Sequence, residues 1–118
     1  MPVSAGFRAF VVEQLGRVAS DIRARNMFGG VGIYAGENFF ALIYDDTLYF
    51  KVDDTTRSAY TARGMEPFRP YGDKGETMQY YQVAEDLLDD AEALKPWVVD
   101  AIGVSRRAKR KRRPGDRA

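Results

Sequence analysis

RNMFGGVGIYAGENFFALIYDDTLYFKV, residues 25–52, decides what fold this chain can adopt. In TLYFKV (47–52), Leu48, Phe50 and Val52 alternate with Tyr49 and Lys51, the two-residue period of a strand with one buried face. FFALIY (39–44) is an almost unbroken apolar run, which suits a strand buried on both faces or one with aromatics on its outer side. Asp45-Asp46 between these runs is a turn signal, and Gly36-Glu37-Asn38 is another. Met27, Phe28, Val31, Ile33 and Tyr34 supply a strand before that turn. Three strands joined by short turns make an antiparallel meander.

The glycines at 29, 30, 32 and 36 raise the question of a phosphate loop. Such a loop follows a strand and opens a helix, so that backbone N–H groups and the helix dipole meet the anion. Here the order is reversed, because the run follows a predicted helix and enters a strand. Neither G-x-x-x-x-G-K-[ST] nor G-x-G-x-x-G is present, and the first lysine after the run is Lys51. The glycines are therefore expected to mark a bulge, a sharp twist or the close approach of another backbone.

On the N-terminal side, Phe7, Val11, Leu15, Val18 and Ile22 recur at helical spacing, which predicts a helix over 4–24 with Ser4 as N-cap and Gly16 as a weak point. After the meander, 53–64 reads as a short helix, capped by Asp53 or Asp54 and closed by Gly64. Pro67 and Pro70 mark a loop in which MEPFRPY (65–71) can form a short edge strand. Gly72 and Gly75 flank a turn before a strand at 77–83. Residues 85–103 read as two short helices broken at Pro96, with Gly103 ending the second. The expected order is α-β-β-β-α-β-β-α. It is an α+β two-layer sandwich, with an antiparallel sheet of about five strands and helices on one side. The domain is placed at 1–104. Residues 105–118, whose apolar content is two alanines, are expected to be a disordered tail.

The chain has no cysteine and no histidine. Disulfides, thiolate catalysis and Cys or His metal ligation are excluded, as is the usual general base near neutral pH. No apolar run approaches a membrane span, and the start MPVSAGFRAF lacks the pattern of a secretory signal, so a cytoplasmic protein is expected. The net charge of +1 hides an asymmetry. Residues 106–118 hold eight Lys and Arg against one acid, while the other 105 residues hold sixteen acids against ten bases.

Four acidic pairs, Asp45-Asp46, Asp53-Asp54, Glu85-Asp86 and Asp89-Asp90, could in principle serve acid–base chemistry or hold a hard cation. All four fall at expected turns or helix starts, where acidic residues belong for capping. No catalytic residue, cofactor or metal site is expected from them. The aromatics at 34, 39, 40, 44, 49, 50, 80 and 81 are dense on the predicted sheet. They suit core and self-association contacts, or alternatively a platform for single-stranded nucleic acid. Arg25 and Lys51 flank the meander. Lys51, opposite Leu48 and Phe50, should lie at the surface; both are candidate interaction residues, or guards of an edge strand. Arg106, Arg107, Lys109, Arg110, Lys111, Arg112 and Arg113 are candidate nucleic-acid contacts, which would engage phosphates without reading sequence. The competing reading folds this basic segment onto the acidic body.

Arg25, Met27-Phe28-Gly29-Gly30, Gly32 and Tyr34 in this order resemble the opening signature of the TfoX N-terminal domain family, the TfoX/Sxy-type competence regulators. So do Phe40-Ala41-Leu42-Ile43, Leu48-Tyr49-Phe50-Lys51-Val52-Asp53, Gly64-Met65-Glu66-Pro67-Phe68, Met78-Tyr80-Tyr81 and Leu88-Asp89-Asp90. The resemblance covers about residues 5 to 102. It implies a small α+β domain with Met27, Phe28, Gly29, Gly30, Gly32 and Tyr34 as structural signature. It also implies a non-enzymatic regulatory role in a bacterial or archaeal cytoplasm, through an unknown protein partner or a homodimer. Full-length competence regulators resemble this chain in their first half only, and a basic segment stands here where their second domain would begin.

Overall fold

The computed structural model describes residues 4–27, 29–69 and 79–111, the side chains of 109–111 excepted. The elements are α1 (Ala5–Gly16), β1 (Ile22–Met27), β2 (Gly30–Ala35), β3 (Asn38–Tyr44), β4 (Thr47–Lys51), α2 (Arg57–Ala62), β5 (Tyr80–Gln82), α3 (Glu85–Leu88) and α4 (Ala91–Lys111). The sheet has the order β1-β2-β3-β4-β5, every neighbour antiparallel. α4 lies over β3 and β4, α1 over β1, and α3 against α4. The α+β class and the helices on one side of the sheet are as the sequence predicts.

The N-terminal helix is shorter than its periodicity suggests. Ser4 is the N-cap, its Oγ accepting from the Phe7 N–H at 3.2 Å. The helix stops at Gly16, the weak point, and Asp21 takes a left-handed turn (φ 57°) into β1. Val18 and Ile22 do pack against the core, so the pattern identifies the inward residues while misassigning the element. β1 wins residues 22–24 because pairing with β2 satisfies its backbone groups over the whole strand.

The glycine run is hairpin geometry. Met27 pairs with Gly30 across a two-residue turn in which Gly29 has φ 80°. Phe28 lies outside the described residues. A Cβ on Gly30 would collide with the Ile43 carbonyl oxygen of β3. A Cβ on Gly32 would meet Met27, and the Phe39 ring at 3.1 Å. The expectation of a close backbone approach therefore holds. Between Ile33 and Tyr34 the β2–β3 register shifts, and this irregularity leaves both Phe40 and Ala41 fully buried. The second two-residue turn, Asp45-Asp46, has φ near 50° at both residues, as a mirror-image hairpin turn requires.

After β4, Asp53 opens a turn instead of capping α2: its carboxylate accepts from the N–H and hydroxyl of Thr55 (2.9 and 2.6 Å). Gly64 closes α2 at φ 77°, as expected. The edge segment is present: Pro67 bridges to Tyr81, with the Phe68 N–H on the Tyr80 carbonyl and the Gln82 N–H on the Glu66 carbonyl, both 2.8 Å. Pro70, Gly72, Gly75, Thr77 and Met78 lie outside the described residues.

Two expectations about the last helices are corrected. The break comes at Asp89-Asp90 rather than at Pro96. Asp90 Oδ1 caps α4, accepting from the N–H groups of Glu92 and Ala93 at 3.1 and 3.3 Å. Pro96 sits inside α4. It removes one bond to the Glu92 carbonyl, and both residues are exposed, so water can replace that bond. The helix also passes Gly103 and runs to Lys111, so 105–111 is helical rather than disordered. Val104 and Ser105 are buried, which ties this stretch to the body.

The core joins Val11 and Leu15 of α1, Val31 and Ile33 of β2, Phe40 and Ile43 of β3, Phe50 of β4, and Leu94 and Val98 of α4. Gln14, buried among them, donates through Nε2 to the Leu88 carbonyl at 2.8 Å and pins α1 to the end of α3.

Gly30→Ala should destabilise the fold by about 2–3 kcal/mol, because a backbone oxygen cannot step aside. Gly32→Ala should cost less, under about 1.5 kcal/mol, because the flexible Met27 can yield. Urea titration of the two variants measures the difference.

Candidate functional site

The strands alternate, so every residue that is not in the core stands on the other face of the sheet. Its pairing rows can be read across the strands. One runs Arg25, Gly32, Leu42, Tyr49, Gln82. A second begins Arg23, Tyr34, Phe39 and ends Lys51, Tyr80. A third begins Met27, Gly30 and ends Tyr44, Thr47. No helix among the described residues packs on this face. Tyr34, Phe39, Leu42, Tyr44, Tyr49 and Lys51 are half-buried on it.

The rings of this face lean on one another. Tyr34 stacks on Phe39 with centroids 5.1 Å apart and planes 23° from parallel, and Phe39 is 6.0 Å from Tyr80. Phe68, brought in by the edge segment, lies 5.3 Å from Tyr44 and 4.6 Å from Tyr49. Burial pushes the Tyr49 phenol above its usual range, against the opposing hydrogen bond with Thr47, so it stays a neutral donor. The two glycines leave a floor without side chains, and Met27 lies across Gly32.

Both candidate interaction residues stand on this face, Arg25 in the edge strand and Lys51 in β4. Arg23 beside them is held by its neighbour Asp21 at 3.1 Å. None of the strand positions in the three rows carries a carboxylate. At the open edge of β1, Arg8 of α1 donates to Asn26 Oδ1 at 2.6 Å and to the Ala24 carbonyl at 3.4 Å. A side chain thus occupies an edge acceptor that another strand could use.

The basic segment is split between two fates. Arg106 is exposed on α4. Arg107 turns back to the body: its Nε and Nη2 donate to Asp53 Oδ2 at 3.1 and 2.9 Å, and Nη2 also reaches Thr55 Oγ1 at 3.2 Å. Gly103, one turn earlier, leaves room for the guanidinium, whose Nη1 would lie 3.4 Å from a Cβ there. This residue thus follows the competing reading, the fold-back onto an acidic body. Lys109, Arg110 and Lys111 continue the helical backbone, and Arg112 and Arg113 lie outside the described residues. The clasp gave no signal in the sequence, because its partners are 54 residues apart.

The acidic pairs are spread over separate turns. Asp45-Asp46 forms the β3–β4 turn, where Asp46 Oδ1 also accepts from the Ser4 N–H at 2.7 Å. Asp53-Asp54 opens the turn before α2, Glu85-Asp86 starts α3, and Asp90 caps α4. No group of three or more acidic side chains among the described residues could hold a metal ion. No helix among them is long and apolar enough to cross a membrane. One buried polar atom, the Tyr60 hydroxyl, lacks a hydrogen-bond partner. Its ring is packed between Trp97 (4.8 Å) and Tyr81 (5.9 Å), and burial, with Asp100 adding to it, pushes its phenol far above the usual range.

Desolvation alone would raise the Asp53 carboxyl. The hydrogen bonds from Thr55 and Arg107, with the Arg107 charge, outweigh it and hold the group at about 2. A lowered folded-state value stabilises the fold above the unfolded carboxylate range and loses that contribution as pH falls through about 2. The pair is about a third exposed (32% at Asp53, 42% at Arg107), so solvent screens it. Asp53→Asn should flatten the acid limb of the stability–pH curve between about pH 4 and 2. It should cost about 1–2 kcal/mol at pH 7. Denaturation series at several pH values measure both.

The sequence model of the TfoX N-terminal domain matches residues 13–105. That is most of the chain, from the middle of α1 to Ser105 on α4, and the chain belongs to this family. No curated protein matches it.

Proposed function

We propose that this TfoX N-terminal domain is a non-enzymatic interaction module: its sheet face receives a protein partner, and the basic end of α4 adds sequence-independent affinity for nucleic acid. The carrying observation is the continuity of α4, which packs on β3 and β4 and runs without interruption into the basic segment. A partner on the sheet and a phosphate backbone at the helix end would then be held by one rigid piece. The non-enzymatic reading is supported by the scatter of the acidic pairs, each used in its own turn or cap. In this reading the module works in the cytoplasm, where a regulatory partner and nucleic acid meet.

The arrangement refines which cations act. Arg107 is engaged by Asp53, so the nucleic-acid contribution rests on the residues after it. Cations on phosphates release counterions, and each contact adds about 0.9 to the slope of log K against log salt. The test compares duplex DNA binding by the full chain with that of a full-length variant in which Lys109, Arg110, Lys111, Arg112 and Arg113 are all replaced by Gln. The expected result is a loss of about 4 to 5 units of slope. Equal slopes, or no binding by the parent chain at low salt, would overturn the nucleic-acid half of the proposal.

A further inference from the structure

The outer sheet face has a composition unlike the rest of the body. Sixteen of the seventeen acids lie before the basic segment. None of them is at a strand position of this face, whose charged positions are Arg23, Arg25 and Lys51. The acids lie instead at hairpin turns and on the helical side. A net-acidic body therefore presents a cationic, aromatic sheet face.

We infer that the partner received by this face is an acidic polypeptide segment, one that sets apolar side chains on Tyr34, Phe39, Leu42 and Tyr49 and carboxylates beside Arg25 and Lys51. This rests on the reading above that the body is a protein-interaction module, and it names the chemistry of the partner.

Two other occupants fit the geometry less well. A second copy laid face to face would bring three cationic positions against three, with no strand carboxylate to compensate. Like-charge juxtaposition of that kind opposes association. Single-stranded nucleic acid would meet the right sign of charge but the wrong presentation of rings. Base stacking needs ring planes open to the ligand. Here Tyr34 and Phe39 turn their planes toward each other, 23° from parallel at 5.1 Å, and Phe68 is wedged against Tyr44 and Tyr49. Rings packed in this way offer edges, and edges suit aliphatic and aromatic side chains of a protein.

The experiment selects from a phage-displayed library of random 12-residue peptides on the immobilised full chain. A synthetic peptide of the recovered consensus is then titrated against the parent and against the double variant Arg25→Glu/Lys51→Glu. Thermal melting checks that the variant is folded, and single Arg25→Glu serves if it is not. The expected recovery is enriched in Asp and Glu beside Phe, Leu or Trp. The consensus peptide should bind the charge-reversed chain at least ~tenfold more weakly, and added salt should weaken its binding to the parent.

Recovered peptides without an acidic excess, or binding unmoved by charge reversal, would overturn this inference while leaving a protein-interaction module standing. Recovery of no peptide would overturn both. A dimer in sedimentation velocity that Leu42→Glu dissociates would assign the face to a second copy. Tyrosine quenching by oligo-dT that survives the five-fold Gln replacement at 109–113 would assign it to single strands. Either result rejects the acidic partner.

Discussion

At Gly30 the backbone of β2 lies so close to the Ile43 carbonyl of β3 that no side chain fits between them. The rest of the sheet is built around that contact. Gly30 also closes the β1–β2 turn opposite Met27, so one residue sets the register of two hairpins. A slip by one position would push Val31 into the space that admits only glycine. It would also turn Val31 and Ile33 from the core to the outer face. The helical layer depends on the same register, because the buried row it covers, Ile33, Ala41 and Phe50, exists only in that alignment. Gly30 thus acts through what it excludes, a steric selection of one pairing among several that the apolar strands would otherwise tolerate.

Where the sequence was legible, a single local rule was enough. The alternation of Leu48, Phe50 and Val52 needs no knowledge of the partner strands, and it correctly put Tyr49 and Lys51 on the opposite face. The order of glycines after a helix and before a strand excluded a phosphate loop by topology alone. Misreadings arose where two local rules agreed with the same residues or where a distant partner decided. Val18 and Ile22 satisfy helical spacing and strand burial equally, and only pairing with β2 separates them. Pro96 looked like a break, but a chain that has already been capped by Asp90 can lose one solvent-facing carbonyl bond and continue. The basic segment lacks the apolar residues of a core helix. Its first turns are ordered by Val104, Ser105 and the Arg107 clasp, none of which composition can show. The outer face was half legible: its strand aromatics follow from parity, whereas the placing of Phe68 between Tyr44 and Tyr49 depends on an edge segment that holds a proline.

The net charge of +1 describes no part of this molecule well. Its acids serve local geometry: two of them take the left-handed conformations of a hairpin turn, others cap helices, and Asp53 holds an arginine. Such acids must sit at element ends, because turns and caps are where short acidic side chains reach backbone donors. The strand interiors are consequently left to aromatics and cations. Charge separation between the rim and the outer sheet face therefore arises from the turn chemistry itself.

The same logic bears on the clasp. Asp53 engages Arg107 at the point where α4 leaves the sheet, so the first cation of the basic segment after Arg106 is neutralised against the body and the later ones follow it on the same helix. An arginine so placed fixes the direction in which the remaining charges are carried. Fixing a direction matters only if those charges meet something at a defined position relative to the sheet. A flexible tail would deliver the same cations to any phosphate within reach, and would need neither a buried Val104 nor a carboxylate held near 2. The ordered start of the basic segment thus argues for a geometric role beyond solubility, in which the sheet face and the helix end act on the same assembly.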